Sequence, residues 1–319
     1  MKRIAIFTSG GDAPGMNAHV RAVVRTALQR GLEIYGIVGG YAGMIEGNFI
    51  KLDRKASADI ISRGGTILKT ARSKEFMNPG GRAASAENLK DMQIDGLIAC
   101  GGEGTFKGAH ALHKEYGIRI VGTPGTIDND LYGTHYTIGY DTAINTATEA
   151  IDRIRDTALS HGRVFLIEVM GRHAGFIPMD VGIATGAEYI AVPETITNMD
   201  LLYQRILKQG KSRRTIVIVG EGDKTGGAQQ IADMLLKKYD IQSHVTILGH
   251  IQRGGSPTVR DRVLASHLGV AAVDALLEGK TDVMIGRVHH EITYTPLETT
   301  WLKQKPLKSY FHELADLLA

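Results

Sequence analysis

Short apolar runs recur along the chain, and most end in a glycine-containing turn that leads into a segment of helical spacing. Arg3 to Phe7, Glu33 to Val38, Gly96 to Cys100, Ile118 to Gly122, Arg163 to Val169, Tyr189 to Val192, Thr215 to Val219 and Val245 to Leu248 read as buried strands. Helical periodicity runs to about Arg30, follows Asp141 through Ala143, Ala147, Ile151, Ile154 and Ala158, and returns over Asp200 to Gln209 and near Gln229 to Lys238. A long helix is expected from Pro257 to Gly279, and an amphipathic one in the tail from Thr300. This alternation specifies an α/β fold with mainly parallel sheets covered by helices on both faces. The 319 residues suit two domains better than one, with a boundary near Gly139.

Composition narrows the class. Apolar residues make up 43% and charged ones 22%, as in a globular α/β protein. No run approaches the roughly 20 apolar residues of a membrane span, and Met1-Lys-Arg leads straight into a strand, so a cytoplasmic protein is expected. The single cysteine, Cys100, sits in an apolar run and reads as a small core residue. A net charge of +3 without a basic block points away from nucleic acid and suits small anionic ligands. The two RGG triplets, at Arg63 and Arg253, are isolated within folded-looking sequence and make an RNA-binding tail remote.

The candidate chemistry lies in the turns. Pro124-Gly-Thr-Ile-Asp-Asn-Asp130 follows a buried strand, where open α/β sheets place their ligands. Asp128 and Asp130, two apart, can serve as a metal site, as a base beside one, or as turn and helix caps. Thr8-Ser-Gly-Gly-Asp-Ala-Pro-Gly-Met-Asn17 joins a strand to a helix and makes either an anion site or a tight turn; it is neither a Walker A loop nor a dinucleotide fingerprint. Gly101-Gly-Glu-Gly-Thr-Phe-Lys-Gly108 repeats that logic with an acid, Glu103, suited to a phosphate-bound Mg²⁺. Tyr41, after Gly39-Gly, either stacks on a base or packs. Arg72 and Arg172 are loop cations, and for Arg72 a solvated surface charge is the alternative. His250 and Arg253, three apart beside paired glycines, hold a phosphate or are a core histidine with a surface arginine.

Taken together, Thr8 to Ala18, Pro124 to Asp130, Met170 to Ala174 and Gly249 to Pro257 stand in the order and spacing of the bacterial ATP-dependent 6-phosphofructokinases, which the chain resembles along essentially its whole length. The resemblance implies two similar three-layer α/β/α domains with the active site in the cleft between them. Residues 1–139 plus 252–302 would form the larger, ATP-binding domain, and 140–251 plus 303–319 the smaller, fructose 6-phosphate-binding domain. The implied reaction is phosphoryl transfer from MgATP to the 1-hydroxyl of fructose 6-phosphate. Asp128 would be the base, with Thr126 and Asp130 positioning the reacting groups, Gly11 and Arg72 at the γ-phosphate, and Arg172 on the transferring group. Tyr41, Ser73, Gly102, Glu103, Gly104, Thr105 and Gly108 would line the nucleotide, with Glu103 at the metal. Met170, Gly171, Glu221, His250 and Arg253 would hold the sugar phosphate, joined by Arg163 and His244 from a neighbouring subunit of a homotetramer. Pyrophosphate-using relatives carry aspartate at the position of Gly104 and lysine at that of Gly125, so the two glycines favour ATP.

Two active-site positions depart from the family pattern. Glu103 replaces an aspartate, and one extra methylene shifts the carboxylate relative to an octahedral ion. His244 replaces an arginine that would cross to the neighbouring sugar phosphate; losing a charge-assisted contact costs roughly 1.5–3 kcal/mol. Weak sugar-phosphate binding is therefore expected, tighter below pH ~6.5, where a free imidazole protonates. The resemblance also implies an effector site for ADP and phosphoenolpyruvate, whose pattern Arg21, Arg25, Arg54, Arg155, Glu188 and Lys211 would occupy, with an arginine missing near Gln209 and Arg213 or Arg214 in place of a histidine. NAD and diacylglycerol kinases share the Gly101 to Thr105 pattern but neither of the loops at 124–130 and 249–255. The alternative of another class is a catalytically silent phosphosugar- or nucleotide-binding regulator, motivated by Glu103 and His244.

Overall fold

The computed structural model describes residues 1–161, 163–210, 215–307 and 309–318. In chain order its elements are β1 (Arg3–Thr8), α1 (Met16–Gln29), β2 (Glu33–Ile37), α2 (Gly40–Glu46), β3 (Phe49–Leu52), α3 (Pro79–Asp91), β4 (Gly96–Gly101), α4 (Glu103–Tyr116), β5 (Ile120–Pro124), α5 (Tyr140–His161), β6 (Val164–Val169) and α6 (Phe176–Ala184). They continue as β7 (Tyr189–Ala191), α7 (Met199–Lys208), β8 (Thr215–Gly220), α8 (Gly227–Tyr239), β9 (Ser243–Ile247), α9 (Val259–Leu277), β10 (Val283–Val288), β11 (Glu291–Pro296), α10 (Thr299–Leu302) and α11 (Ser309–Leu318). The α/β class expected from the alternation is the one observed.

The chain forms two compact units. The first holds Met1–Ile127, Leu131–Thr142 and Arg253–Lys305; the second holds the described residues of Asp128–Asp130, Ala143–Gln252 and Pro306–Ala319. The chain thus changes unit after 142, 252 and 305, and three residues of the acidic loop group with the second unit.

In the first unit a seven-stranded sheet runs β11-β10-β5-β4-β1-β2-β3, parallel except for its two edge pairs, β2 with β3 and β10 with β11. Alternate residues of β1 face opposite ways: Ile4 and Ile6 pack with α1 and α9, and Ala5 and Phe7 with α2 and α4. Both faces are covered, which is why the strand reads as a continuous apolar run. In the second unit four parallel strands run β7-β8-β6-β9. Val164 and Leu166 pack under α7 and α8, while α6 packs on β7 and β8 and α11 on α6.

Several elements differ from the sequence reading. Residues after Gly39, read as a turn, form α2 in spite of its glycines. The expected tail helix is two pieces, α10 and α11, because Pro306 has no N–H and disfavours a helix through it. The β3 strand, the β10–β11 hairpin and helices α3 and α6 were not anticipated. The hairpin turns on His289 and His290, both at positive φ, where glycine or asparagine would have given the signal. Among the described residues no helix is long and apolar enough to cross a membrane.

Candidate active site

In the first unit the site grows from the order of the strands. β1 and β4 are neighbours, with Thr8 opposite Cys100, yet the chain leaves β1 for β2 on one side and β4 for β5 on the other. Connections that diverge from adjacent strands open a crevice at their carboxyl ends. Here the loops interlock: the Ser9 N–H donates to the Cys100 carbonyl at 3.0 Å, and the Gly125 N–H to the Gly101 carbonyl at 2.9 Å. Helices α1 and α4 begin at this edge without a side-chain cap, so their N-terminal N–H groups and positive dipole ends suit an anion. Thr105, in the first turn of α4, is 3% exposed, and its hydroxyl has no partner among the described residues. That hydroxyl lies 3.6 Å from where a β-carbon would stand on Gly10, and Thr126 Cβ lies 3.7 Å from the corresponding point on Gly102. The first glycine turn, the second one and the start of the acidic loop are therefore brought together.

The segment 63–73 is laced to the first turn. Asn17 donates to the carbonyls of Arg63 at 3.1 Å and Gly64 at 3.0 Å and accepts the Ile67 N–H at 2.8 Å. The Thr70 hydroxyl donates to the Gly10 carbonyl at 2.7 Å. Arg72 is exposed on this laced segment, and the Ser73 hydroxyl accepts the Phe76 N–H at 3.1 Å. Arg253 reaches the same place: its Nη1 donates to the Asp12 carbonyl at 3.2 Å, and it would stand 2.2 Å from a β-carbon on Gly11. Only glycine at 11 lets the guanidinium lie directly on the turn. Asn17 and Thr70 were missed by the sequence reading; a polar residue among the apolar positions that open α1 was the available signal.

Tyr41 takes the packing role. It is 6% exposed, its ring stacks on Phe76 at 3.9 Å and meets Phe7 edge-on at 4.8 Å, and its hydroxyl donates to the Thr105 carbonyl at 2.5 Å. Burial pushes its phenol well above the usual range. A ring so enclosed has no face to offer a base, and Tyr41 instead supports the first turn of α4 from beneath, next to Gly108. Cys100 is fully buried and pushed up to about 12, mainly by burial, which rules out a neutral-pH nucleophile. Glu103 is exposed in the first turn of α4 and pairs with Lys107 one turn on. Among the described residues no three His, Cys, Asp or Glu side chains converge on a metal position.

In the second unit three loops gather at the carboxyl edge of β6, β8 and β9. The Glu221 N–H donates to the Val169 carbonyl at 2.8 Å, the Leu248 N–H to the Glu168 carbonyl at 3.0 Å, and the Arg172 N–H to the Glu221 carboxylate at 3.2 Å. Met170 is buried and its N–H donates to Gln252 Oε1 at 2.9 Å; Gln252 Nε2, fully buried, has no partner among the described residues. Gly171 has φ +139° and Arg172 φ +50°, so the turn presents the arginine outward from a strained backbone. The Arg172 side chain is 50% exposed and its Nε stands 3.9 Å from Oδ2 of Asp128, whose own side chain is 6% exposed. His250 is exposed near this edge, and Asp130 is half-buried in the loop that carries Asp128.

Arg163 and His244 lie elsewhere. Arg163 immediately precedes β6, and His244 is paired with Phe165 near the amino end of the same strand, their rings 5.2 Å apart. At about 3.3 Å per residue the length of β6 separates them from Met170 by roughly 20 Å.

Of the expected effector residues, Arg25 donates to the Ser57 hydroxyl at 3.0 Å and the Arg54 carbonyl at 3.2 Å, and Arg21 is half-buried on α1. Arg155 donates to the carbonyls of Thr185 and Gly186, and Glu188 accepts the Ile216 N–H at 2.7 Å. Lys211, Arg213 and Arg214 lie outside the described residues.

The phosphofructokinase family matches residues 3–276. An ATP-dependent 6-phosphofructokinase 1 of Thermus thermophilus is 55% identical over the full length of both chains, and an ATP-dependent 6-phosphofructokinase of Cytophaga hutchinsonii is 52% identical over 100% of this chain and 98% of its own. Among solved structures, a phosphofructokinase from Saccharomyces cerevisiae is 36% identical, with a TM-score of 0.89; it covers all of this chain, which spans 48% of that one.

Proposed function

Because the chain belongs to the phosphofructokinase family, we propose that it is an ATP-dependent 6-phosphofructokinase that transfers the γ-phosphoryl group of MgATP to the 1-hydroxyl of fructose 6-phosphate. The observation that carries the assignment of the base is the approach of Arg172 to the buried Asp128 carboxylate. Asp128 takes the hydroxyl proton as the sugar oxygen bonds to phosphorus, and the bond to the bridging oxygen of ADP breaks. Arg172 carries the compensating charge for the group in transfer. Thr126 and Asp130 position the reacting groups.

Gly11, Arg72, Ser73 and the stretch Gly102 to Thr105 hold the nucleotide phosphates, and Gly108 lies further along α4. Support comes from the uncapped helix starts and the buried Thr105 hydroxyl, features that suit a phosphate ligand. Mg²⁺ arrives with the nucleotide and neutralises phosphate charge. A single exposed carboxylate at Glu103, already paired with Lys107, suits an ion bound chiefly through phosphates and water.

Met170, Gly171 and Glu221 hold the sugar, and His250 and Arg253 its phosphate. The position of Arg163 and His244 at the far end of β6 fits donation to a neighbouring subunit's sugar phosphate, which makes the working form a homo-oligomer, a tetramer by family pattern. Arg21, Arg25, Arg54, Arg155 and Glu188 are the proposed effector residues for ADP and phosphoenolpyruvate. The test is ADP release with fructose 6-phosphate titrated from micromolar to tens of millimolar: MgATP supports saturable turnover, and pyrophosphate as donor does not.

A further inference from the structure

Asp261, on α9, has no part in the chemistry above, yet it is a carboxylate only 1% exposed. One oxygen accepts the Gly139 N–H at 2.9 Å; the other accepts the Thr142 N–H at 2.8 Å and the Thr142 hydroxyl at 2.5 Å. The charged groups around it are Asp141, which opposes its ionisation, and Arg260, 3.8 Å from Asp141. Burial raises its pKa, and the bonds from Thr142 and Gly139 oppose that rise. A carboxylate so costly to bury is kept by what it ties together.

Thr142 and Thr258 complete the tie. The Thr142 hydroxyl also accepts the Thr258 N–H at 3.0 Å, and the Thr258 hydroxyl accepts the Asp261 N–H at 3.2 Å and donates to Asp141 at 2.7 Å. Asp261 thus caps the start of α5, Thr258 caps α9 itself, and the two helix starts are tied together through Thr142. The segment that ends on Asp261 begins on the loop of the base. The Ile138 N–H donates to the Pro124 carbonyl at 2.8 Å, the Thr137 hydroxyl to the Thr126 carbonyl at 2.6 Å, and Gly125 bridges to Ile138. Residues 137–142 form a short strut between a buried anchor and Pro124 to Thr126, directly before Asp128.

We propose that Asp261 is a positioning residue for the catalytic loop, fixing Pro124 to Thr126, and through them the base, by way of the 137–142 strut. This rests on the reading of Asp128 as the base. Displacements near 1 Å at a reacting group cost about 10²-fold in rate.

The test compares wild type with Asp261→Asn, Thr142→Val and Thr142→Ser at a temperature where circular dichroism shows each fully folded. The amide of Asp261→Asn turns a donor toward either the Gly139 or the Thr142 N–H, whichever way it is oriented, and Thr142→Val removes the hydroxyl at constant shape. The expected result is a fall in kcat of about 10- to 100-fold for Asp261→Asn and a smaller fall for Thr142→Val, with KM for MgATP within about threefold of wild type; Thr142→Ser recovers kcat. A merely structural role would lower the melting midpoint and leave kcat of the folded protein intact. That outcome, kcat within twofold of wild type in folded Asp261→Asn and Thr142→Val, overturns the proposal. If Asp261→Asn does not fold, the Thr142 pair decides by the same criterion. A wild type without turnover would instead refute the reading of the base, and the inference with it.

Discussion

Arg172 Nε stands 3.9 Å from Asp128 Oδ2, an ion-pair separation longer than a hydrogen bond, with the carboxylate buried and the guanidinium half-exposed. The arginine is held there by its own backbone, whose N–H is fixed on Glu221 and whose φ is +50°. Asp128→Asn should lower kcat by about 10²- to 10⁴-fold. Arg172→Gly removes the cation while relieving the left-handed backbone, so its loss of kcat should come without a lower melting midpoint. A large fall in midpoint would assign the arginine a structural role.

The two glycines that bear on donor choice are physically unlike. A β-carbon on Gly104 would meet no atom within 4 Å, whereas one on Gly125 would lie 2.7 Å from Cys100 Sγ and 3.0 Å from Met16 Cε. Gly104→Asp should therefore fold normally, its carboxylate favoured in the first turn of α4, and raise KM for MgATP at least tenfold by charge repulsion. Gly125→Lys should cost about 1–3 kcal/mol by overpacking. Urea unfolding of both variants, with donor kinetics for the first, checks the contrast.

His244 is exposed on the edge strand β9, so a longer side chain is accommodated there. His244→Arg should restore a charge-assisted, forked contact and lower KM for fructose 6-phosphate by about tenfold or more, with kcat little changed. An unchanged KM would remove His244 from the sugar-phosphate site.

His19 is fully buried between Ala265 and Thr123, bonded at 3.2 Å through Nδ1 and at 2.9 Å through Nε2. A carbonyl only accepts, so Nδ1 carries the proton and Nε2 accepts from the Thr123 hydroxyl. Burial lowers its pKa to about 4, partly offset by the bond to Ala265. The unfolded chain takes up this proton near pH 6.5 and the folded one only near 4. The stability contributed by the neutral ring is whole above 6.5 and declines as pH falls toward 4, by roughly 3 kcal/mol in all. Denaturant unfolding from pH 7 to 4 should show this decline in wild type and a flatter one in His19→Gln; parallel profiles would refute it.

Much of the fold was legible because buried parallel strands and the helices over them write their own periods: β1, β4, β6, β8, α1 and α9 lie where the pattern put them. The loops were legible as loops, since glycines at Gly10, Gly101 and Gly171 sit where apolar runs stop. What stayed hidden had no local signal. The β10–β11 hairpin turns on two histidines, and α6 is apolar apart from Asp180 and shows no stripe. Tyr41 could not be told from a base-stacking residue until Phe7, Phe76 and the Thr105 carbonyl were seen around it. Asp261 draws its meaning from Gly139 and Thr142, more than a hundred residues away in sequence, and no spacing rule reaches that far.

The central claim is that Asp128 transfers a proton during phosphorylation of a sugar hydroxyl by ATP. Its most direct test is phosphorus NMR of fructose 6-phosphate and MgATP incubated with folded wild-type protein and with Asp128→Asn. The account predicts a new phosphomonoester resonance for the 1-phosphate in step with ADP with wild type, and almost none with the variant over the same time. ADP without a sugar bisphosphate, or equal product from both proteins, would contradict it.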